Sequence, residues 1–129
     1  MANTFKVTTR DVAPASAGTF EEIYDCPDNR TAVIIGLSLA NVHTSQVTAS
    51  VQLVSTTNQD GSTTNTTAHL VKDIPIPVGS TVEIMSGNKI ILNADDRIQV
   101  DCSVADKVSV ILSYMEISYN ALCRKQCSK

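Results

Sequence analysis

The chain has 129 residues, a formal net charge of −3 and only 4% aromatic residues. Val, Ile and Thr supply 39 of the residues, a bias that favours pleated strands and excludes a helical bundle or coiled coil. With 43% hydrophobic residues the chain is too apolar for intrinsic disorder, and its acidic balance argues against nucleic-acid binding by the body of the chain.

The first segment, residues 1–18, is polar and ends in the turn-forming stretch Pro14–Gly18, so we expect a flexible N-terminal arm. It has no apolar region typical of a signal peptide. The longest uncharged apolar stretch, Ala32–Ala40, is far shorter than the roughly 20 residues that span a bilayer. We therefore expect a protein made in a cytoplasm and no membrane partner.

The body of the chain, residues 19–118, alternates between short apolar-polar runs and turn signals. This spacing predicts one antiparallel β-sandwich of about eight strands, Greek-key or jelly-roll-like. In the second run, Val33, Ile35, Leu37 and Leu39 are expected to share one face, and Gly36 indicates a bulge or a close neighbour. The predicted strands are Thr19–Tyr24, Thr31–Ala40, Val47–Val54, Ala68–Asp73, Ser80–Met85, Lys89–Leu92, Arg97–Val104 and Val108–Ile117.

Three connecting or terminal segments stand out between and after these strands. Residues 55–67 are polar and predict a long hairpin loop that turns at Asp60–Gly61. The two prolines of Ile74–Gly79 exclude a central strand and favour a crossover along the sheet edge. We expect the Ile and Val side chains of this segment to fill the end of the core. Tyr119–Lys129 is a C-terminal tail and the only segment with a helical pattern.

The last predicted strand has two apolar faces. Alternation sends Val108, Val110, Leu112 and Tyr114 to the core, and the opposite face remains too apolar to be left in water. We therefore expect that face to contact another protein, together with the proline-rich crossover and the N-terminal arm. The predicted interface residues are Phe5, Ile74, Pro75, Ile76, Pro77, Ile111, Met115 and Ile117.

No recognised catalytic motif occurs in the chain. Asp95–Asp96 is better explained as a solvated turn than as a carboxylate pair, and His43 has no evident nucleophile to activate. Glu21–Glu22 fits a charged edge that discourages aggregation. We expect no enzyme, no catalytic residue and no cofactor.

The four cysteines do not predict a disulfide framework in a chain without an export signal. Cys102 falls on an inward position and is expected to act as a small core residue. Cys123 and Cys127, four residues apart, could share one helical face, but a structural zinc site needs four closely paired ligands. We therefore expect no metal, and leave open whether these two cysteines pair.

Five segments stand out in the order Met1–Lys6, Ile34–Val42, Thr44–Thr48, Leu70–Ser80 and Val108–Ser118. Together they resemble a family of small virion structural proteins of tailed bacteriophages, notably those that infect marine cyanobacteria. The resemblance implies a non-enzymatic particle component, of the cement (decoration), neck, tail or fibre-attachment kind, assembled in the host cytoplasm and located in the virion. It implies capsid, portal, neck or tail proteins as partners and no catalytic residues.

We therefore predict a virion structural subunit, with cement or decoration favoured over neck or tail, that forms a homo-oligomer. The alternative is a host-recognition or carbohydrate-binding module on the virion surface. The shortage of aromatic side chains argues against that alternative, since sugars commonly stack on aromatic rings. A virion hydrolase is a third interpretation, and it lacks a defensible pair of carboxylates.

Overall fold

A computed structural model describes residues 2–58, 61–85 and 87–118. All regular secondary structure in these residues is β-strand, because the β-branched composition favours pleated, half-buried surfaces. The nine strands are β1 (Ala2–Ala13), β2 (Glu21–Asp25), β3 (Arg30–Asn41), β4 (Val47–Val54), β5 (Ala68–Ile76), β6 (Thr81–Glu83), β7 (Ile90–Leu92), β8 (Arg97–Cys102) and β9 (Val108–Ser118).

The strands form two antiparallel sheets, which confirms the predicted β-sandwich. The larger sheet has the order β1-β9-β3-β6, with β7 also paired to β3, and the smaller has the order β2-β8-β4-β5. Because β6 and β7 pair with different parts of β3, they share one position and the sandwich has eight strand positions. This order is that of a jelly roll, so the structure selects between the two topologies left open by the sequence.

The core lies between the two sheets and is built from alternate residues of each strand. Ile98, Val100 and Cys102 of β8 face Leu112 and Val110 of β9 across it, and all five are at most 2% exposed. Cys102 is thus a small core residue, as predicted. Burial of these aliphatic side chains supplies the main stabilisation of a sandwich of this size.

Strand β3 contains the bulge that Gly36 predicted, and the bulge reverses one sequence-based assignment. The register with β9 shifts between Ile34 and Gly36, so Ala32 and Ile34 face the core before the bulge and Leu37 faces it afterwards. Val33 and Ile35 were expected to share a face with Leu37 and instead point outward, with Ile35 40% exposed. One extra residue in a strand moves the following side chains to the other face.

The prediction of a flexible N-terminal arm over residues 1–18 is wrong for most of that segment, because residues 2–13 form strand β1. Strand β1 pairs with β9 in regular register from Ala2 opposite Ser118 to Arg10 opposite Val110. Its alternation is inverted, since apolar Phe5 and Val7 face outward while polar Lys6 contacts Glu116 on the inner side. A polar segment therefore belongs to the sheet because its inward side chains find buried partners.

The proline-rich segment partly joins a strand. Strand β5 extends to Ile76 and includes Pro75, which is possible because β5 is an edge strand with one unpaired side. Ile76 is fully buried and closes the core as expected, whereas Val78 is 54% exposed. The predicted tail, Tyr119–Lys129, lies outside the described residues, as does Asp60 of the predicted turn.

Candidate functional site

The outer face of the larger sheet carries an apolar row that crosses four strands. Phe5 lies opposite Met115, Met115 opposite Val33, and Val33 opposite Ile91, so the row runs through β1, β9, β3 and β7. Phe5 is 74% exposed and Ile91 is 62% exposed. Adjacent strands lie about 4.8 Å apart, so the row is a continuous strip of about 15 Å. We call it the outer apolar row.

Further apolar side chains flank this row on the same face. Val7 is 60% exposed, Ile35 40% and Ile111 49%. Between Val7 and Ile35, Ser113 occupies the central strand and leaves a shallow groove. The outer face therefore combines projecting apolar groups with a concave centre, a shape that another protein surface can fit.

The outer face of the smaller sheet has the opposite character. Gln52 donates a hydrogen bond to Gln99 across β4 and β8, with 2.6 Å between the amide nitrogen and oxygen. Arg97 and Glu22 form a surface ion pair beside it at 3.7 Å. One face of the sandwich is thus suited to water, and the other has the composition of a contact surface.

The structure divides the predicted interface residues into two groups. Phe5, Ile111, Met115 and Ile117 lie together on the outer face of the larger sheet. Ile74 and Pro75 lie on edge strand β5 of the smaller sheet, and exposed Pro77 follows it. Ile76 is 0% exposed, so it belongs to the core and is unavailable to a partner.

Sequence reasoning missed four apolar residues on the outer face of the larger sheet. They are Val7, Val33, Ile35 and Ile91. Val7 alternates with Phe5 and would have been found by treating residues 2–13 as a strand. Val33 and Ile35 were hidden by the bulge. Ile91 is the central residue of a three-residue strand, too short for a period to be detected.

Glu116 forms a second feature, an ion cluster at the inner side of the larger sheet. It occupies the next inward position after Tyr114 on β9 and is only 4% exposed. One carboxylate oxygen accepts hydrogen bonds from Lys6 Nζ at 2.8 Å and Arg30 Nη1 at 2.7 Å. The other accepts a hydrogen bond from Tyr24 Oη at 2.6 Å. Glu116 thus links β1, β3 and β9 of one sheet to β2 of the other.

The electrostatics of this cluster keep Glu116 charged. Burial raises the pKa of its carboxyl, but the hydrogen bonds from Lys6, Tyr24 and Arg30 outweigh burial and lower the pKa to about 2. Burial and the neighbouring carboxylate raise the pKa of Tyr24. Tyr24 also packs on Tyr114 with ring centroids 4.5 Å apart. The cluster is fully paired, so its chemistry is that of a structural link.

The other titratable candidates occupy structural positions. Asp96 closes the predicted turn, where its Oδ2 accepts a hydrogen bond from the Asn93 backbone N–H at 3.0 Å. The turn was expected to be solvated, but Asp96 is only 3% exposed, and its Oδ1 is buried without a hydrogen-bond partner among the described residues. The backbone N–H of His43 donates to Asn41 Oδ1, and the ring of His69 packs near Phe20. Within the described part of the chain, no group of three or more His, Cys, Asp or Glu residues could hold a metal ion.

The two cysteines in the described ranges, Cys26 and Cys102, are free and buried. Burial raises the pKa of the Cys26 thiol. A buried, protonated thiol is a poor nucleophile, so Cys26 does not form a reactive centre. Cys123 and Cys127 lie outside the described residues. No helix in residues 2–58, 61–85 or 87–118 is long and apolar enough to cross a membrane.

A polar groove lies where the long loop meets the end of the larger sheet. Its loop is held by Asn65, whose side-chain amide donates to Ser55 Oγ at 3.1 Å and Thr57 Oγ1 at 3.2 Å. Apolar Leu53, Ala68 and Ile91 line the groove together with hydroxyl and amide side chains and with Asp96. It contains no aromatic ring among its lining residues.

Comparison with known proteins yields no family. No family model matches the chain, and no curated protein matches it. A solved structure of Bacillus endospore appendages, a family of disulfide-linked pili, is similar at a TM-score of 0.47 and 13% identity, covering 92% of this chain and 88% of that one. A chain of the T13 IBDV viral particle is similar at a TM-score of 0.37 and 13% identity, covering 96% and 41%. At these values neither protein indicates what this chain does.

Proposed function

We propose that this chain is a non-enzymatic structural subunit that assembles by docking the outer face of its larger sheet on other subunits. The observation that carries the proposal is the outer apolar row, in which Phe5, Met115, Val33 and Ile91 are aligned across four strands. A protein that works alone in water gains nothing from such a row, whereas an assembly interface is stabilised by burying it.

The chemistry of the rest of the described chain supports a structural role. Two carboxylates are buried: Glu116 is saturated by Lys6, Arg30 and Tyr24, and Asp96 is engaged in its own turn. Burial raises the pKa of the Cys26 thiol. A catalytic acid or base needs a free proton site next to a substrate. The remaining features are the outer face of the larger sheet and the polar groove, and both would act by binding another molecule.

The particle that we propose for this subunit is the virion of a tailed bacteriophage, with a cement or decoration position favoured over neck or tail. The proposal rests on the sequence resemblance of Met1–Lys6, Ile34–Val42 and Val108–Ser118. The partners would be copies of the same chain and capsid, portal or tail proteins, and assembly would take place in the host cytoplasm.

A matched pair of variants tests the docking face. Ile111→Lys places a charge on the outer face of the larger sheet, and Thr48→Lys places the same charge on the outer face of the smaller one. We expect Ile111→Lys to break the contacts that the outer face makes, so that light scattering measures a smaller oligomer and co-sedimentation with particles is abolished, while Thr48→Lys changes neither. A wild-type chain that is monomeric and never sediments with particles would contradict the proposal.

The polar groove favours a second candidate function, binding of a carbohydrate on the particle surface. Its lining combines hydroxyl and amide groups, which can hydrogen-bond sugar hydroxyls, with the apolar side chains of Leu53, Ala68 and Ile91. A glycan-array screen with the wild type and with Asn93→Ala tests it. Binding that is weakened by Asn93→Ala supports a carbohydrate site, and absence of binding to any glycan argues against it.

A further inference from the structure

We infer that two copies of this chain pair through the free edge of β1, antiparallel and about a two-fold axis at Phe5. The inference deepens the proposed function, because it states how one of the subunit contacts is made. It differs from docking of the outer face in that main-chain hydrogen bonds, rather than side chains alone, hold the copies together.

The first step concerns which backbone groups of β1 are free. In β3, Asn41 donates its N–H to Ser80, on the side away from β9, while the N–H of Val42 reaches Lys107 O. Because these backbone groups alternate along paired strands, the N–H and C=O groups of odd-numbered residues of β9 point to β3, and those of even-numbered residues point to β1. In β1, therefore, Lys6 and Thr8 bond to β9, and Asn3, Phe5, Val7 and Thr9 present their N–H and C=O groups to the free edge.

The second step concerns the charges that ordinarily protect an edge strand. Lysine and arginine on an exposed edge discourage pairing with another strand. Here Lys6 turns inward to Glu116 at 2.8 Å, and Arg10 lies 3.6 Å from Glu21. Both charges are drawn onto carboxylates of the same chain, so the stretch from Asn3 to Val7 presents no unpaired charge that would repel a second strand.

The third step selects the register. Arg10 Nη1 donates to the carbonyl oxygen of Thr9, and a bulge follows between Arg10 and Ala13, so the free regular edge is the stretch from Asn3 to Val7. An antiparallel pair centred on this stretch places Phe5 opposite Phe5 and Asn3 opposite Val7, joined by about six main-chain hydrogen bonds. Lys6 then lies opposite Thr4, whereas a pair centred on Lys6 would oppose two lysines.

The fourth step explains why the occupant is a second copy. Among the large hydrophobic residues that the structure describes, Phe5 is the most exposed, at 74%, and the two-fold pairing brings the two Phe5 rings side by side. The same pairing joins the outer apolar rows of both copies into one strip, continuous with the proposed docking face. The β1 edges of two copies thus match each other: their free N–H and C=O groups can bond, no charges of Asn3–Val7 repel, and the apolar Phe5 side chains meet.

Two variants of one residue test the pairing. Val7→Pro removes a free-edge N–H while keeping a small apolar side chain, and β1 retains its bonds to β9 because Val7 does not make them. Val7→Thr keeps the N–H and the shape. We expect Val7→Pro to weaken dimerisation, measured by analytical ultracentrifugation, by about tenfold or more, and Val7→Thr to change it about twofold or less. Equal affinities for Val7→Pro and wild type would overturn the inference.

Hydrogen exchange of the wild-type chain provides a readout that does not depend on a variant folding. Raising the protein concentration should slow exchange of the Phe5 and Val7 amides, while the Lys6 and Thr8 amides, already bonded to β9, stay slow throughout. Fast Phe5 and Val7 exchange in an assembled sample would overturn the pairing. The Ile111→Lys variant tests docking of the outer face separately. If Ile111→Lys loses assembly and Val7→Pro does not, the subunits dock through the outer face and do not pair through the β1 edge.

Discussion

Glu116 shows how a single residue can tie a sandwich together. Its carboxylate is bonded from β1, β2 and β3, and it sits where an aliphatic residue would continue the inward row of β9. A buried carboxylate is costly unless every oxygen is paired, and here both are. Its partners Lys6 and Arg30 are 38% and 39% exposed, so either can regain water if Glu116 is removed.

We predict that Glu116→Gln destabilises the fold by about 1–3 kcal/mol, below the cost of breaking a wholly buried pair, because Lys6 and Arg30 can rehydrate. Glu22→Gln is the matched control. Glu22 pairs with Arg97 at 3.7 Å on the surface, and its loss should cost less than about 1 kcal/mol. Urea unfolding measures both, and equal costs would show that Glu116 contributes no more than a surface pair.

The same residue predicts a pH dependence. The pKa of Glu116 falls from 4.5 to about 2 on folding, so its stabilisation is complete above about pH 4.5 and disappears as the pH falls towards 2. The difference in unfolding free energy between wild type and Glu116→Gln should therefore shrink between pH 5 and pH 2, by up to about 3 kcal/mol. A difference that stays constant across this range would contradict the lowered pKa.

At the scale of elements, the bulge in β3 decides which of its side chains lie on the outer face of the larger sheet. Glu83 of β6 stabilises it, since its carboxylate accepts hydrogen bonds from the Leu37 N–H at 3.0 Å and the Ser38 hydroxyl at 2.9 Å. These bonds outweigh the effect of burial and lower the pKa of Glu83. A Cβ added at Gly36 would lie 3.8 Å from Glu83 Oε1, an ordinary contact.

We therefore predict that Glu83, and not the glycine, holds the bulge. Gly36→Ala should change stability by less than about 0.5 kcal/mol, and Glu83→Ala should cost about 1 kcal/mol, since exposed charged hydrogen bonds contribute modestly. Thermal unfolding of the two variants measures this. A larger loss for Gly36→Ala than for Glu83→Ala would show that backbone freedom at Gly36 is what the bulge requires.

At the scale of the whole molecule, β1 completes the larger sheet and supplies Lys6 to the Glu116 cluster. Without it, β9 becomes an edge strand and Tyr114 loses the contact with Thr8 Oγ1 at 3.1 Å. We predict that deletion of residues 2–12 leaves a chain that unfolds or aggregates, judged by circular dichroism and size-exclusion chromatography. A deletion variant as stable as the full chain would restore the interpretation of this segment as an arm.

The sequence predicts the residues that face the core better than it predicts the residues that lie together on the surface. Strands β8 and β9 alternate strictly, so their inward faces were predictable residue by residue, although β8 ends at Cys102, two residues before its predicted end. In β4 the alternation breaks at Ser50, which was predicted to face outward and is buried. Four of the eight predicted interface residues lie on the outer face of the larger sheet, and alternation along β9 was enough to place Ile111, Met115 and Ile117 there. The outer apolar row was not predictable, since register between strands distant in the chain aligned Phe5 with Met115 and Val33 with Ile91.

The sequence by itself determined that this protein is an all-β sandwich, because composition and period-two alternation are local properties of each strand. Tertiary structure alone decided the jelly-roll order, the place of residues 2–13 in the sheet and the pairing of Glu116. These depend on partners far along the chain: polar Lys6 is a sheet residue only because Glu116, 110 positions later, receives its charge. A segment whose inward residues are polar cannot be recognised as a strand until the groups that satisfy them are in place.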